Sequence, residues 1–162
     1  MKLFLFVILF PLLLIGCSSP NTMEEVFHHK MENNKEIESY ELVEMVEEDQ
    51  VIIFTAYTEE DDNKDQPMLA YFTKPNDKWT WTRTSSCSSE WSGNVGSEPY
   101  LWCGTVTEPK YEKVIVGDTE AKLIAMNDGT KRVWYQLSQN KNEEIKAILT
   151  DGSEEWLKEV VH

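Results

Sequence analysis

Few residues in this chain have side chains suited to catalysis or metal binding. There are three cysteines and three histidines among 162 residues. His28 and His29 are adjacent, and neighbours on a helix point about 100° apart, so the pair cannot readily hold one metal ion. We interpret the pair as a solvated helix face; the third histidine is His162. The sequence therefore predicts no metal site and no cofactor, and it offers no clear Ser-His-Asp or Cys-His arrangement.

The acidic stretch Asp61–Asp65 contains the pattern D-x-N-x-D, with which an EF-hand calcium loop begins. The rest of that motif is missing, because Gln66 stands at the glycine of the sharp turn and Phe72 at the bidentate glutamate. We interpret the stretch as a solvated loop, with a weak calcium contact as the alternative.

Carboxylates are abundant, with 29 Asp and Glu residues. Such a number leaves room for the pair of carboxyl groups that a glycosidase uses, but nothing singles out one pair. The catalytic residues of such an enzyme are therefore unknown from the sequence.

Tryptophan is the most unusual feature, with six residues. Trp79 and Trp81 are two positions apart, so they face the same side of a strand. An exposed row of aromatic rings suits sugar or peptide binding, which makes Trp79, Trp81 and Trp91 candidate ligand-binding residues. The alternative is that Trp79, Trp81 and Trp91 fill a small core. We expect Trp102 and Trp134 to be core residues.

The charge of the chain limits its partners. Fifteen basic against 29 acidic residues give a formal net charge of -14. Such a surface repels a phosphate backbone, so we expect no nucleic-acid partner. A hydrophobic fraction of 41% and a charged fraction of 27% fit a globular domain.

The amino terminus has the pattern of an export signal. Lys2 is basic, Leu3–Ile15 is apolar apart from Pro11, and small residues follow. The apolar run is shorter than the roughly 20 residues that a membrane-spanning helix needs. An uncleaved membrane anchor is the alternative.

The tetrapeptide Leu14-Ile15-Gly16-Cys17 resembles the lipobox of bacterial lipoproteins. The resemblance implies that residues 1–16 are a signal peptide, and that Cys17 carries a diacylglycerol through its sulfur. The protein would then be lipid-anchored at the extracytoplasmic face of the cell membrane, since two acyl chains suffice for stable anchoring. Residues 17–22 would form a short tether, and 23–162 a single globular domain.

Cys87 and Cys103 are the thiols that remain once Cys17 is lipidated. Export places them outside the reducing cytosol, so we expect them to form a disulfide worth roughly 3 kcal/mol. A metal-binding pair is the alternative, but it lacks the four closely spaced ligands of a structural zinc site.

Most of the remaining chain predicts strands. Eight or nine stretches are rich in β-branched and aromatic residues, for example Val51–Thr58, and turn signals such as Lys74–Lys78 separate them. Thr22 and Glu25 have capping-box spacing and predict a short helix, while Ser85–Pro99 predicts a long loop. We therefore expect a mainly β fold (α+β possible), a single small antiparallel β domain with a short N-terminal helix.

These features together predict a membrane-anchored extracytoplasmic lipoprotein. Its domain would be a non-enzymatic binding or accessory module of the cell envelope, with a glycan or protein partner in addition to the membrane. Two alternatives stay open, a cell-wall glycan hydrolase with a carboxylate pair and a protein–protein regulator of another envelope component. The segments 103–109 and 116–135 resemble small lipoproteins of Gram-positive bacteria, a resemblance that implies no activity.

Overall fold

The structure is a computed structural model that describes residues 20–58, 66–88, 90–94, 96–107 and 109–158. The predicted signal peptide, Cys17, the acidic stretch Asp61–Asp65 and His162 lie outside the described residues, so what the sequence predicts for them stays a prediction.

One helix and twelve strands make up the regular structure of the described chain. Helix α1 is Met23–Glu32. Strands β1 to β12 are, in order, Ile37–Val46, Val51–Thr58, Pro67–Thr73, Thr80–Ser86, Ser92–Asn94, Tyr100–Val106, Tyr111–Val116, Thr119–Glu120, Lys122–Ala125, Arg132–Ser138, Ile145–Leu149 and Glu154–Trp156. All of their pairings are antiparallel. The prediction of a mainly β domain with a short N-terminal helix is confirmed.

The strands form three sheets of four strands each. The helix-covered sheet has the order β1-β2-β3-β4, the central sheet β5-β6-β10-β9, and the far sheet β12-β11-β7-β8. The turn predicted at Lys74–Lys78 contains a short 3-10 turn, Pro75–Asp77, and a second 3-10 turn, Glu47–Asp49, connects β1 to β2. Sequence neighbours pair throughout the helix-covered sheet, whereas the central sheet also pairs β6 with β10, which are distant along the chain.

The three sheets stack in layers, because side chains on successive strand residues point to opposite faces. Along β2, Val51 and Ile53 pack against the central sheet, while Ile52 and Phe54 pack beneath α1. In the central sheet, successive residues of β6 and β10 alternate between two clusters. One is the cluster that contains Val51 and Ile53, and the other is shared with the far sheet. The central sheet is therefore buried on both faces.

Helix α1 begins with the predicted capping box. The hydroxyl of Thr22 accepts a hydrogen bond from the backbone N–H of Glu25, and the Glu25 carboxylate accepts from Asn21 N and Thr22 N at 2.7 and 3.1 Å. The backbone N–H groups of Asn21 and Thr22 lower the pKa of Glu25. Met23, Phe27 and Met31 recur every four residues and are buried against the sheet. A single apolar stripe thus attaches the helix.

The stretch Ser85–Pro99, expected to be an unbroken loop, contains the short strand β5. Ser92 and Gly93 pair with Cys103 and Trp102 of β6. Ser, Gly and Asn bring no apolar side chain to this strand, so the sequence showed no alternation there. Gly93 is required by the partner strand, because a Cβ at this position would lie 2.7 Å from the Trp102 ring.

The predicted disulfide is present between Cys87 and Cys103, both fully buried in the cluster between the helix-covered and central sheets. Their Cα atoms are 5.3 Å apart, which is within the range that a disulfide spans. Next to it, Trp134 Nε1 donates a 3.0 Å hydrogen bond to the Glu90 carbonyl. A Cβ at position 104 would overlap that carbonyl oxygen, so glycine there lets the segment after Cys87 cross β6.

A polar cluster links the same two sheets at their edge. Asp49, in the turn between β1 and β2, accepts a 2.7 Å hydrogen bond from the Tyr135 hydroxyl of β10 and pairs at 2.8 Å with Lys122 of β9. Burial alone would raise the pKa of Asp49, but the hydrogen bonds from Lys122 and Tyr135 outweigh it and the pKa is lowered. Burial and the bond to Asp49 raise the pKa of Tyr135. Asp49 therefore stays ionised and Tyr135 stays protonated at neutral pH, and these are the states in which the hydroxyl donates to the carboxylate.

We expect that replacing both Cys87 and Cys103 by serine lowers the free energy of unfolding by about 3 kcal/mol, because the 16-residue separation gives that loop-closure term. Equilibrium urea unfolding measures the change. Wild-type protein treated with a reductant is the control and should unfold at a similar urea concentration. Free, alkylatable thiols in protein purified under oxidising conditions would contradict the bridge.

We expect that Asp49→Asn lowers the free energy of unfolding at pH 7 by about 1–2 kcal/mol, since hydrogen bonds to a charged group are among the stronger ones but about a quarter of this side chain is exposed. Because the folded-state pKa is depressed, the stabilisation exists above the ordinary value of 3.8 and is lost as the pH falls through the folded-state pKa. Urea unfolding between pH 7 and 2 tests this. Asp118→Asn, at an exposed turn, is the control; a wild-type advantage that does not shrink in acid would contradict the assignment.

Candidate functional site

A cleft of about 560 Å³ lies between the last turn of α1, the start of β1 and the outer face of the helix-covered sheet. It forms because a helix of this length covers only part of the sheet face. Ten helical residues extend about 15 Å, whereas the eight residues of β2 extend about 26 Å. The helix ends at Glu32 and leaves the end of the sheet uncovered.

The floor of the cleft is apolar. Its side chains come from four elements: Met31, Phe54, Ala56, Met68 and Trp81. Met31 and Phe54 are buried, while Ala56, Met68 and Trp81 are partly exposed. The two methionines have flexible, polarizable side chains that adapt to the shape of what they contact.

The rim of the cleft is polar and carries charges of both signs. Asn34 and Gln66 contribute amides, Thr84 a hydroxyl, Lys30 an ammonium and Glu36 a carboxylate. Such groups can orient an organic ligand by hydrogen bonds and ion pairs above the apolar floor.

Arg83 also lines the cleft, but its guanidinium is already engaged. It donates to the carbonyl oxygens of Ser97 and Pro99 at 2.7 and 2.8 Å, and it lies 4.6 Å from the centre of the Tyr71 ring. Arg83 therefore holds the 97–99 segment against the sheet, and Lys30 is the cation better placed to meet a ligand.

Trp81 forms one wall of the cleft and is held in place from several sides. Its Nε1 donates to Arg83 O and to Thr84 Oγ1, both at 2.9 Å. Its ring stacks on Phe27 at 5.6 Å, and the Lys30 ammonium lies over it at 5.8 Å. The indole is therefore held in one position, and its ring is already in contact with Phe27 and Lys30 instead of being open to a ligand.

The structure brings two of the three candidate tryptophans together. Trp79 and Trp81 pack on the same cluster beneath α1, although Trp79 does not line the cleft and has Lys74 over its ring at 5.0 Å. Trp91 lies beyond the central sheet, where it contacts Trp102 and donates to Leu157 O at 3.0 Å. The three rings do not share one surface.

His28 and the carboxylates with shifted pKa values take part in contacts that stabilise the fold. His28 Nδ1 and the Tyr40 hydroxyl are 2.9 Å apart, which connects α1 to β1. Backbone N–H groups lower the pKa of Asp128, hydrogen bonds from Ser153 lower that of Asp151, and Lys110 lowers that of Glu155. A general acid needs the opposite shift. In the part of the chain that is described, no three His, Cys, Asp or Glu side chains are placed to hold a metal ion.

Sequence reasoning found Trp81 but not the cleft residues around it. Met31, Ala56, Met68 and Thr84 come from different elements and meet only through strand register. One signal was available, since a helix of ten residues extends about 15 Å, less than the roughly 26 Å of the apolar strand Val51–Thr58.

Comparison of the chain with protein-family models, with curated proteins and with solved structures finds no match. Within the described ranges, no helix combines the length and the apolar character that crossing a membrane requires.

Proposed function

We propose that this chain is a lipid-anchored binding protein of the extracytoplasmic cell envelope, and that the cleft beside α1 holds its ligand. The observation that carries the proposal is the cleft, with its apolar floor and its rim of amides, a hydroxyl and two opposite charges. Its volume lies within the roughly 300–1,000 Å³ of ordinary ligand pockets.

The proposed anchor rests on the lipobox-like residues that end at Cys17. Helix α1 begins at Met23, and the five residues between extend at most about 18 Å. The cleft domain would then lie close to the membrane surface. The buried disulfide supports this compartment, since such bonds persist in oxidising environments. The strongly acidic composition, with a net charge of -14 for the full chain, would keep the domain from lying flat on anionic lipid.

Binding without catalysis accounts better for this cleft than the hydrolase alternative does. A glycosidase needs two carboxyl groups on either side of the scissile bond. Among the described lining residues, Glu36 is the single carboxylate. The shifted carboxyl pKa values elsewhere in the described chain are those of capping and ion-paired groups.

We expect that Cys17→Ala abolishes incorporation of radiolabelled palmitate and releases the protein from the membrane fraction, because the sulfur that would carry the lipid is gone. Labelling of cells followed by fractionation measures both. Cys87→Ser is the control and should keep the label. Unchanged labelling of Cys17→Ala would overturn the anchor.

We expect that Met68→Lys weakens ligand binding at least tenfold, because it places an ammonium group on the apolar floor. The probes are two digests, solubilised cell-wall fragments and tryptic peptides of envelope proteins, and native mass spectrometry records what is retained. Ile115→Lys, at a half-exposed position of the far sheet, is the matched control. Equal retention by the wild type and Met68→Lys would show that the cleft is not the site.

A further inference from the structure

We propose that the ligand in this cleft is a peptide segment of another envelope protein, which places a large apolar side chain on the floor and charged neighbours against Lys30 and Glu36. The inference rests on the proposed function of the cleft and names the class of its ligand.

The floor favours an aliphatic or aromatic side chain over a sugar ring. Sugars bind by flat contact with an open aromatic face, but Trp81 already contacts Phe27, Phe54 and Phe72, with Lys30 over its ring. What lies open beside it is Ala56 and the thioether of Met68. These groups offer a deformable apolar surface, of the kind found at peptide-binding surfaces that accept several side chains.

The rim favours a peptide over an acyl chain or a neutral glycan. Asn34 Oδ1 already accepts from the backbone N–H of Glu36 at 3.1 Å, but the Asn34 amide N–H groups and the Gln66 amide can pair with the C=O and N–H groups of a peptide backbone. An acyl chain would form no hydrogen bond with either amide.

The charges that line the cleft also favour a peptide ligand. Lys30 and Glu36 both line the cleft of a strongly acidic protein. A segment with an acidic residue near Lys30 and a basic residue near Glu36 complements both, whereas a neutral glycan complements neither. Rim charges of this kind affect the affinity mainly through the association rate, and their effect decreases as salt is added.

The test uses fluorescein-labelled hexapeptides with Leu or Phe at the centre, flanked by Asp on one side and Lys on the other, in both orders. Fluorescence polarisation with the mature, unlipidated domain (residues 18–162) gives the Kd. Comparators are the same peptides with a central Ser, a tetramer of N-acetylglucosamine and palmitate. We expect the peptides with one of the two orders of Asp and Lys to bind. Replacing their central residue by Ser should weaken the affinity at least tenfold, because a buried Leu or Phe contributes at least 1.4 kcal/mol.

Matched variants identify the contacts. Lys30→Gln and Glu36→Gln should each weaken binding several-fold and reduce its salt dependence. Lys35→Gln and Glu38→Gln, which are exposed but do not line the cleft, should leave it unchanged. In methyl NMR, the peptide should shift the Met68 and Met31 signals but not that of Met126, which lies in the other core cluster.

Two outcomes separate this inference from the proposed function. Binding of the tetrasaccharide or palmitate at Met68, without binding of any peptide, would overturn the peptide assignment and leave the cleft as a ligand site. If no probe binds and Met68→Lys retains every fragment that the wild type retains, both proposals are overturned.

Discussion

Burial of the central sheet on both faces is the constraint on which the architecture depends. Trp134 packs towards the far sheet, while its neighbours Val133 and Tyr135 pack towards the helix-covered sheet, and all three are almost fully buried. Strands of this kind cannot alternate between polar and apolar residues. Of the two indoles in these strands, that of Trp134 donates to the Glu90 carbonyl, whereas that of Trp102 is buried without a hydrogen-bond partner in the part of the chain that the structure describes. The disulfide and the Asp49 cluster then join two layers that already share an apolar interior.

The local parts of this fold could be predicted from the sequence. The capping box at Thr22 and Glu25, the hairpins of the helix-covered sheet and the Cys87–Cys103 bridge each depend on a few neighbouring residues or on one pairing. The layer order could not be predicted, because β6 pairs with β10 across some thirty residues and nothing in either strand specifies its partner. For the same reason the separation of Trp91 from Trp79 and Trp81 was not visible.

The cleft is a product of unequal element lengths more than of a sequence motif. The residues that form its floor are buried or partly buried apolar residues of α1, β2, β3 and β4, and they become a surface only where the helix ends. Trp81 was identified by its residue type, yet its importance is that of a wall fixed by Arg83 O and Thr84. Catalytic residues can often be identified from a sequence motif. The residues of an apolar recess of this kind can be identified only when the strand register of the whole sheet is known.

The attachment of α1 by three side chains also determines how far the protein can be shortened. Met23, Phe27 and Met31 cover a face of the sheet that includes Phe54, Phe72 and Trp81. A fragment that started after the helix would present these rings to water as one continuous apolar area, and areas of this kind promote self-association. The ten residues of the helix therefore shield this apolar face, and they belong to the smallest fragment that keeps it covered.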